Sequence, residues 1–119
     1  MTAGARTILF PVTDLAAAKA VDTSLLGAEP AHDAPYYVGY EAAGQHIGLI
    51  PNGRQTGMTG PVVHWHVDDI ASALEAVLTA GATELSPAKD VGGGRLVATV
   101  KDPDGNVFGL LQDRPGQPG

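Results

Sequence analysis

The 119-residue chain has no cysteine. That excludes disulfides, thiolate metal sites and cysteine nucleophiles. Positive charge is also scarce: 7 Lys and Arg stand against 13 Asp and Glu, a net charge of −6. No basic cluster occurs, which argues against a nucleic-acid partner, because phosphate contacts need Lys and Arg. Long apolar runs are missing too, so no segment reads as a membrane helix. Met1 is followed by Thr-Ala-Gly-Ala-Arg rather than by the apolar stretch of a secretory signal. These absences set the expectation of a cytoplasmic protein with no membrane and no nucleic-acid partner.

Hydrophobic residues make up 44% of the chain, enough for a core, and Gly 16 and Pro 9 imply many turns. The length suits one domain over residues 1–119. The acidic balance serves solubility and weakly favours a cationic ligand.

Two segments match when laid side by side. Thr7-Ile-Leu-Phe-Pro-Val-Thr-Asp14-Leu15 leads through an Ala-rich stretch to Leu26-Gly27-Ala28. Val62-Val-His-Trp-His-Val-Asp-Asp69-Ile70 leads through an Ala- and Leu-rich stretch to Ala80-Gly81-Ala82. The offset is 55 residues at the Asp and 54 at the Gly. Internal duplication is the economical explanation. We expect a first module over residues 6–51, a second over 60–113 and a flexible tail over 114–119.

Each module reads strand, helix, strand, strand, strand. Residues 7–12 and 62–67 are rich in β-branched and aromatic residues and are short enough for strands. Asp14 (or Thr13) and Asp69 can cap the helices that follow. Ile70, Leu74, Val77 and Leu78 share one helical face. Gly27 and Gly81 stand where a helix ends in the left-handed conformation. The remaining strands are expected at residues 29–33, 36–41 and 45–50, then 83–89, 95–101 and 106–112. Asp102-Pro103-Asp104-Gly105-Asn106 is a tight turn entering the last strand, and we assign it no chemistry.

The repeat, together with this terminal turn and the Val107-Phe108-Gly109-Leu110-Leu111 strand, resembles the vicinal oxygen chelate superfamily. That is the glyoxalase, bleomycin-resistance and extradiol dioxygenase group. The resemblance covers roughly residues 6–113. It implies an α+β fold: two βαβββ modules forming a curled mixed sheet with the helices outside and a cleft within. It also implies metal ligands on the first and last strand of each module. Those positions map to Thr7, Val62, Gly48 and Gly109. Threonine, valine and two glycines lack the imidazole or carboxylate donors that Zn, Ni, Fe or Mn would need here. The carry-over of the metal site therefore fails residue by residue, and no metal and no cofactor are expected.

Strand alternation tells which side chains share a face. Val62, His64 and His66 should face the cleft. So should His46, Gly48 and Ile50, then Val107, Gly109 and Leu111, and Thr7, Leu9 and Pro11. The expected lining is apolar, with three imidazoles and space left by two glycines, as in a small-molecule pocket. His64 and His66 admit several roles: ligand recognition, proton transfer, a displaced metal site with His46, or partly exposed groups bonded at a sheet edge or dimer interface. Trp65 reads as a core anchor between sheet and helix. Tyr40 shares a face with Tyr36, while Tyr37 lies opposite with Glu41; some of these could stack on a flat ligand. Val91-Gly92-Gly93-Gly94 reads as a flexible insertion, and with Arg95 it could form an anion-binding lid.

The candidate ligand-binding residues are thus Leu9, Tyr40, His46, Ile50, His64, His66, Arg95 and Leu111. Taken with the resemblance, they point to a metal-free homodimer that holds an apolar or aromatic compound, as drug-sequestering bleomycin-resistance proteins do. Alternatives are a lyase or dioxygenase of the same superfamily, or a metal-independent enzyme using His64 or His66 on a small carbonyl compound. An accessory protein with a vestigial pocket is a further one.

Overall fold

The computed structural model describes residues 2–113. The expected tail at 114–119 lies outside the described residues. The chain divides into two compact units: Arg6–Val62, and Met1–Ala5 with Val63–Gly119. Each is a small α+β unit built strand, helix, strand, strand, strand.

The first unit contains β1 from Arg6 onward (the strand spans Thr2–Pro11), α1 (Leu15–Leu26), β2 (His32–Ala34), β3 (Tyr37–Ala42) and β4 (Gln45–Ile50). The strand order is β2-β3-β4-β1. β1 and β4 run parallel, with Thr7 beside His46 and Leu9 beside Gly48. β3 and β4 are antiparallel. Their hairpin turns on Ala43 (φ 54°) and Gly44 (φ 76°), the left-handed pair that matches strand twist. Asp14 caps α1 by accepting from the Ala17 N–H at 3.0 Å. Gly27 closes the helix at φ 64°, its N–H reaching the Thr23 carbonyl.

β1 begins at Thr2, five residues before the expected start, and Thr2 Oγ1 donates to the His66 carbonyl at 2.9 Å. β2 is shorter and later than expected. Pro30 has no N–H to give a ladder, and pairing with β3 starts only at His32. β4 matches its expected bounds.

The second unit contains β5 (Val62–Val67), α2 (Ile70–Thr79), β6 (Thr83–Asp90), β7 (Leu96–Lys101) and β8 (Val107–Gln112). The order is β5-β8-β7-β6, with β5 and β8 parallel and the other pairs antiparallel. Asp69 caps α2 through Ser72, whose N–H and hydroxyl both bond the carboxylate. Gln112 Oε1 takes a further free amide, that of Ile70, at 2.8 Å. Gly81 sits one residue beyond the cap, at φ 123°, and is not itself the helix terminus. The Asp102 turn is fully hydrogen-bonded. Asp102 Oδ1 accepts from the amides of Asp104 and Asn106, both at 2.9 Å, and Gly105 takes φ 90°.

Each unit buries a core between its helix and one sheet face. In the first, Val38, Tyr40 and Leu49 pack with Phe10, Leu15, Ala18, Leu26 and Ile47. In the second, Ile70, Ala98 and Leu110 pack with Val67, Leu74, Val77, Leu96 and Phe108. A fully buried aliphatic such as Leu49 contributes roughly 1.5–3 kcal/mol.

Two expectations fail here. Tyr40 does not line an open face: it is wholly buried under α1. Its hydroxyl donates to the Lys19 carbonyl at 3.0 Å and lies 2.7 Å from Thr23 Oγ1. Alternation gives the reason, since Tyr40 shares the face of Val38, which the helix needs. Trp65 is not a buried anchor, because 37% of it remains exposed. α2 lies against β6, β7 and β8, leaving β5 less covered.

Two predictions follow from these contacts. Tyr40→Phe keeps the packing but strips Thr23 of its partner, so urea unfolding should show a loss of about 1 kcal/mol. Adding Thr23→Ala should then cost little more; an undiminished further loss would mean the two groups are not coupled. The second concerns acid. The carboxyls of Asp102 and Asp69 are held below the ordinary 3.8 by hydrogen bonds, chiefly from the Asn106 side chain and the Ser72 amide. Because the folded values are depressed, this stabilisation is present above the ordinary value and is lost as the pH falls through the folded ones. The gap in Tm between the protein and Asp102→Ala should therefore be widest near neutrality and close below about pH 4. A gap independent of pH would refute that account.

Candidate functional site

The helices take one face of each sheet, so Leu9, His46, Ile50, His64, His66 and Leu111 belong to the other. In the first unit this open face carries Thr7, Leu9 and Pro11 from β1, His46, Gly48 and Ile50 from β4, and Tyr37, Gly39 and Glu41 from β3. Parallel register sets Thr7 beside His46, Leu9 beside Gly48 and Pro11 beside Ile50. Antiparallel register sets Gly39 beside Gly48 and Glu41 beside His46. The face is partly open: Leu9, Tyr37, His46 and Ile50 are half-buried.

The glycines do not leave the space expected of them. A Cβ on Gly48 would stand 2.4 Å from the Tyr37 hydroxyl and 2.7 Å from Leu9 Cδ2. A Cβ on Gly39 would stand 2.9 Å from both the His46 and Tyr37 rings. These are closer than real carbon contacts, so both positions need glycine for the rings to lie on the backbone. Tyr37 and His46 stack at 5.9 Å with an 11° interplanar angle, and His32 lies 5.8 Å from Tyr37. The Tyr37 hydroxyl bonds His46 Nε2, and His46 Nδ1 bonds Glu41 Oε2. Lys19 on α1 is paired with Asp33 of β2, and that hydrogen bond raises the lysine's pKa.

In the second unit the face away from α2 carries His64, His66, Val97, Thr99, Gly109 and Leu111. His64 and His66 are buried, at 3% and 6% exposure, so neither is a partly exposed group at a sheet edge. A Cβ on Gly109 would fall 2.2 Å from His64 Cδ2. The imidazole therefore fills the place where the resemblance puts a carboxylate ligand. Leu111 is buried beside His66. His66 Nδ1 faces Asp113 Oδ2 at 3.4 Å, an ion-pair separation.

Arg95 departs from its expected role. Its Nε donates to Asp113 Oδ1 at 2.8 Å and its Nη2 lies 2.6 Å from the same oxygen. The guanidinium is thus spent on an internal carboxylate rather than offered to an anion. The Gly92–94 stretch is the connection of a β-hairpin. It is tied by the Val91 N–H to the Arg95 carbonyl at 2.9 Å and by the Arg95 N–H to the Gly92 carbonyl at 3.1 Å.

The residues do not fit the metal that the resemblance implies. Thr7, Val62, Gly48 and Gly109 bring no imidazole or carboxylate. Rings occupy the space at both glycines. Among the described residues, no three His, Asp or Glu side chains come together as a metal-binding group.

Asp113 has a clear place at these sites yet was not singled out from sequence; Tyr37 was named only among the tyrosines that could stack on a flat ligand, and Glu41 only for its parity. A signal existed for the first unit. A two-residue turn at Ala43-Gly44 fixes Glu41 opposite His46, and alternation then adds Tyr37 to their face.

Solved structures share this architecture at low identity. A glyoxalase/bleomycin resistance protein/dioxygenase superfamily member from Vibrio splendidus 12B01 is 20% identical, with TM-score 0.69, covering 90% of this chain and 97% of its own. Methylmalonyl-CoA epimerase from Mycobacterium tuberculosis is 15% identical, with TM-score 0.72, covering 96% and 90%. The Mn(II)-bound glyoxalase from Novosphingobium aromaticivorans is 21% identical, with TM-score 0.68; the match covers 95% of this chain but 40% of that one. These likenesses show the fold alone. No curated protein matches by sequence. The model of the Glyoxalase/Bleomycin resistance protein/Dioxygenase superfamily matches residues 5–110, and the chain belongs to that superfamily.

Proposed function

We propose that the protein is a small-molecule-binding member of this superfamily that works without the metal. The observation that carries this reading is the packing at Gly48 and Gly109. Side chains that a Cβ would force to shift lie on both, Tyr37 on one and His64 on the other. The same faces offer what a ligand pocket uses: apolar and aromatic surface with a few polar groups. Leu9, Ile50, Tyr37 and His46 supply it in the first unit. Val97, Leu111, His64 and His66 supply it in the second. The mechanism is stoichiometric, an apolar or aromatic compound held away from its target. A homodimer belongs to the same proposal, and the exposed Leu85 and Val91 around β6 support it.

A second reading has one observation in its favour. Tyr37, His46 and Glu41 are bonded in series. That order of groups suits general acid–base chemistry on a small carbonyl compound. It separates from the first reading by turnover that survives chelation.

The deciding measurement is elemental analysis of protein purified without a metal-affinity tag, then melting after loading with Zn, Ni, Fe or Mn. Metal well below one per chain, and no rise in Tm with any of the four, is the expected result. One tightly held metal per chain would refute the metal-free reading. A companion variant tests the packing. Gly109→Ala should cost about 1–3 kcal/mol, because the His64 ring must leave its place.

A further inference from the structure

His46 sits between two partners that together fix its proton. Its Nδ1 meets Glu41 Oε2, and an ionised carboxylate only accepts. The ring proton therefore rests on Nδ1. A neutral imidazole has one N–H, so Nε2 is the acceptor and the Tyr37 O–H donates to it. The consequence falls on the phenol oxygen. With its proton committed to His46, what it has left to offer a ligand is acceptor capacity. Neutral His46 with ionised Glu41 also leaves one negative charge at the site. Aromatic surface adjoins: His32 lies 5.8 Å from Tyr37, and Tyr36, 6.4 Å from His32, is 70% exposed.

We infer that Tyr37, His46 and Glu41 form a recognition site for an organic ammonium ion carrying an aromatic group. The Tyr37 oxygen accepts the ligand's N–H, Glu41 supplies the charge, and the rings of Tyr37, His32 and Tyr36 supply apolar and π contact. This rests on the small-molecule reading above and names the ligand class for it. The groups facing His46 are Tyr37 and Glu41 from β3 and the uncharged Thr7 from β1. His32 from β2 makes ring contacts with Tyr37 and Tyr36.

The test uses the full chain with ¹⁵N-labelled histidine, and benzylammonium and benzoate as probes. At about pH 8 the His46 spectrum should show the Nδ1–H tautomer. Benzylammonium should bind there and shift His46, more tightly than benzoate. Its affinity should fall about tenfold in Tyr37→Phe, as loss of one hydrogen bond to a charged group implies. Glu41→Gln, at an exposed position, should remove the preference for the cation with the fold intact. An Nε2–H tautomer, a preference for benzoate at that pH, or unchanged binding in Tyr37→Phe would each overturn the inference. If other fragments bind while benzylammonium does not, this inference falls and the small-molecule reading stands. Silence of every compound sinks both.

Discussion

One helix can cover only one face of a four-stranded sheet. That limit governs each unit of this protein. α1 claims the face holding Val38, Tyr40 and Leu49, and α2 claims the face holding Ala98 and Leu110. Alternation then forces every second residue of each strand to the opposite side, whatever its chemistry. The polar residues of interest, His46, Tyr37 and Glu41 in one unit and His64 and His66 in the other, are on that side by parity. The parallel pairings of β1 with β4 and of β5 with β8 decide which of them meet.

Glycine turns those meetings into close packing. A ring can rest against a strand backbone only where the facing residue has no Cβ. Gly48 admits the Tyr37 hydroxyl, and Gly109 admits the His64 ring. Neither glycine is there for its dihedral freedom, since the glycines with positive φ lie elsewhere. Their role is steric. In the same stroke they remove the carboxylate a metal would need and seat an aromatic side chain in its place.

Much of the fold was legible in the sequence because its signals are local. Asp14 and Asp69 precede apolar helical faces and do cap them. The Asp102 to Asn106 run reads as a turn and is one, its carboxylate occupied by amides. The start of β1 was not legible, since Thr2 to Arg6 carry little β signal and Thr2 bonds the carbonyl of His66, distant in sequence. Tyr40 was misread because parity says which residues share a face but not which face a helix will cover. The deciding residue was Val38, whose burial draws Tyr40 with it. Arg95 was misread because its partner, Asp113, lies 18 positions away, just past the last strand. The glycine space was misread for a related reason. A missing Cβ is visible in a sequence, but the ring that fills the gap comes from another strand.

Laying the units on each other by register shows how far the two halves have parted. Leu9 and His64 both stand beside a glycine, and Pro11 and His66 both stand beside an aliphatic residue. The first strand is thus apolar in one unit at the two positions where it carries imidazoles in the other. The last strand is reversed: the first unit has His46 two residues before its glycine, where the second has Val107. Backbone pairing survives such exchanges because a parallel ladder needs only main-chain groups and side chains of tolerable size. Site chemistry does not survive them, because it depends on which donor faces which acceptor. That is why superfamily membership follows from this chain while its activity does not. It is also why evidence on the ligand has to come from the polar contacts of each face. In the first unit those contacts are tied together: an ionised Glu41 can only accept, so a neutral His46 takes the hydrogen bond from Tyr37.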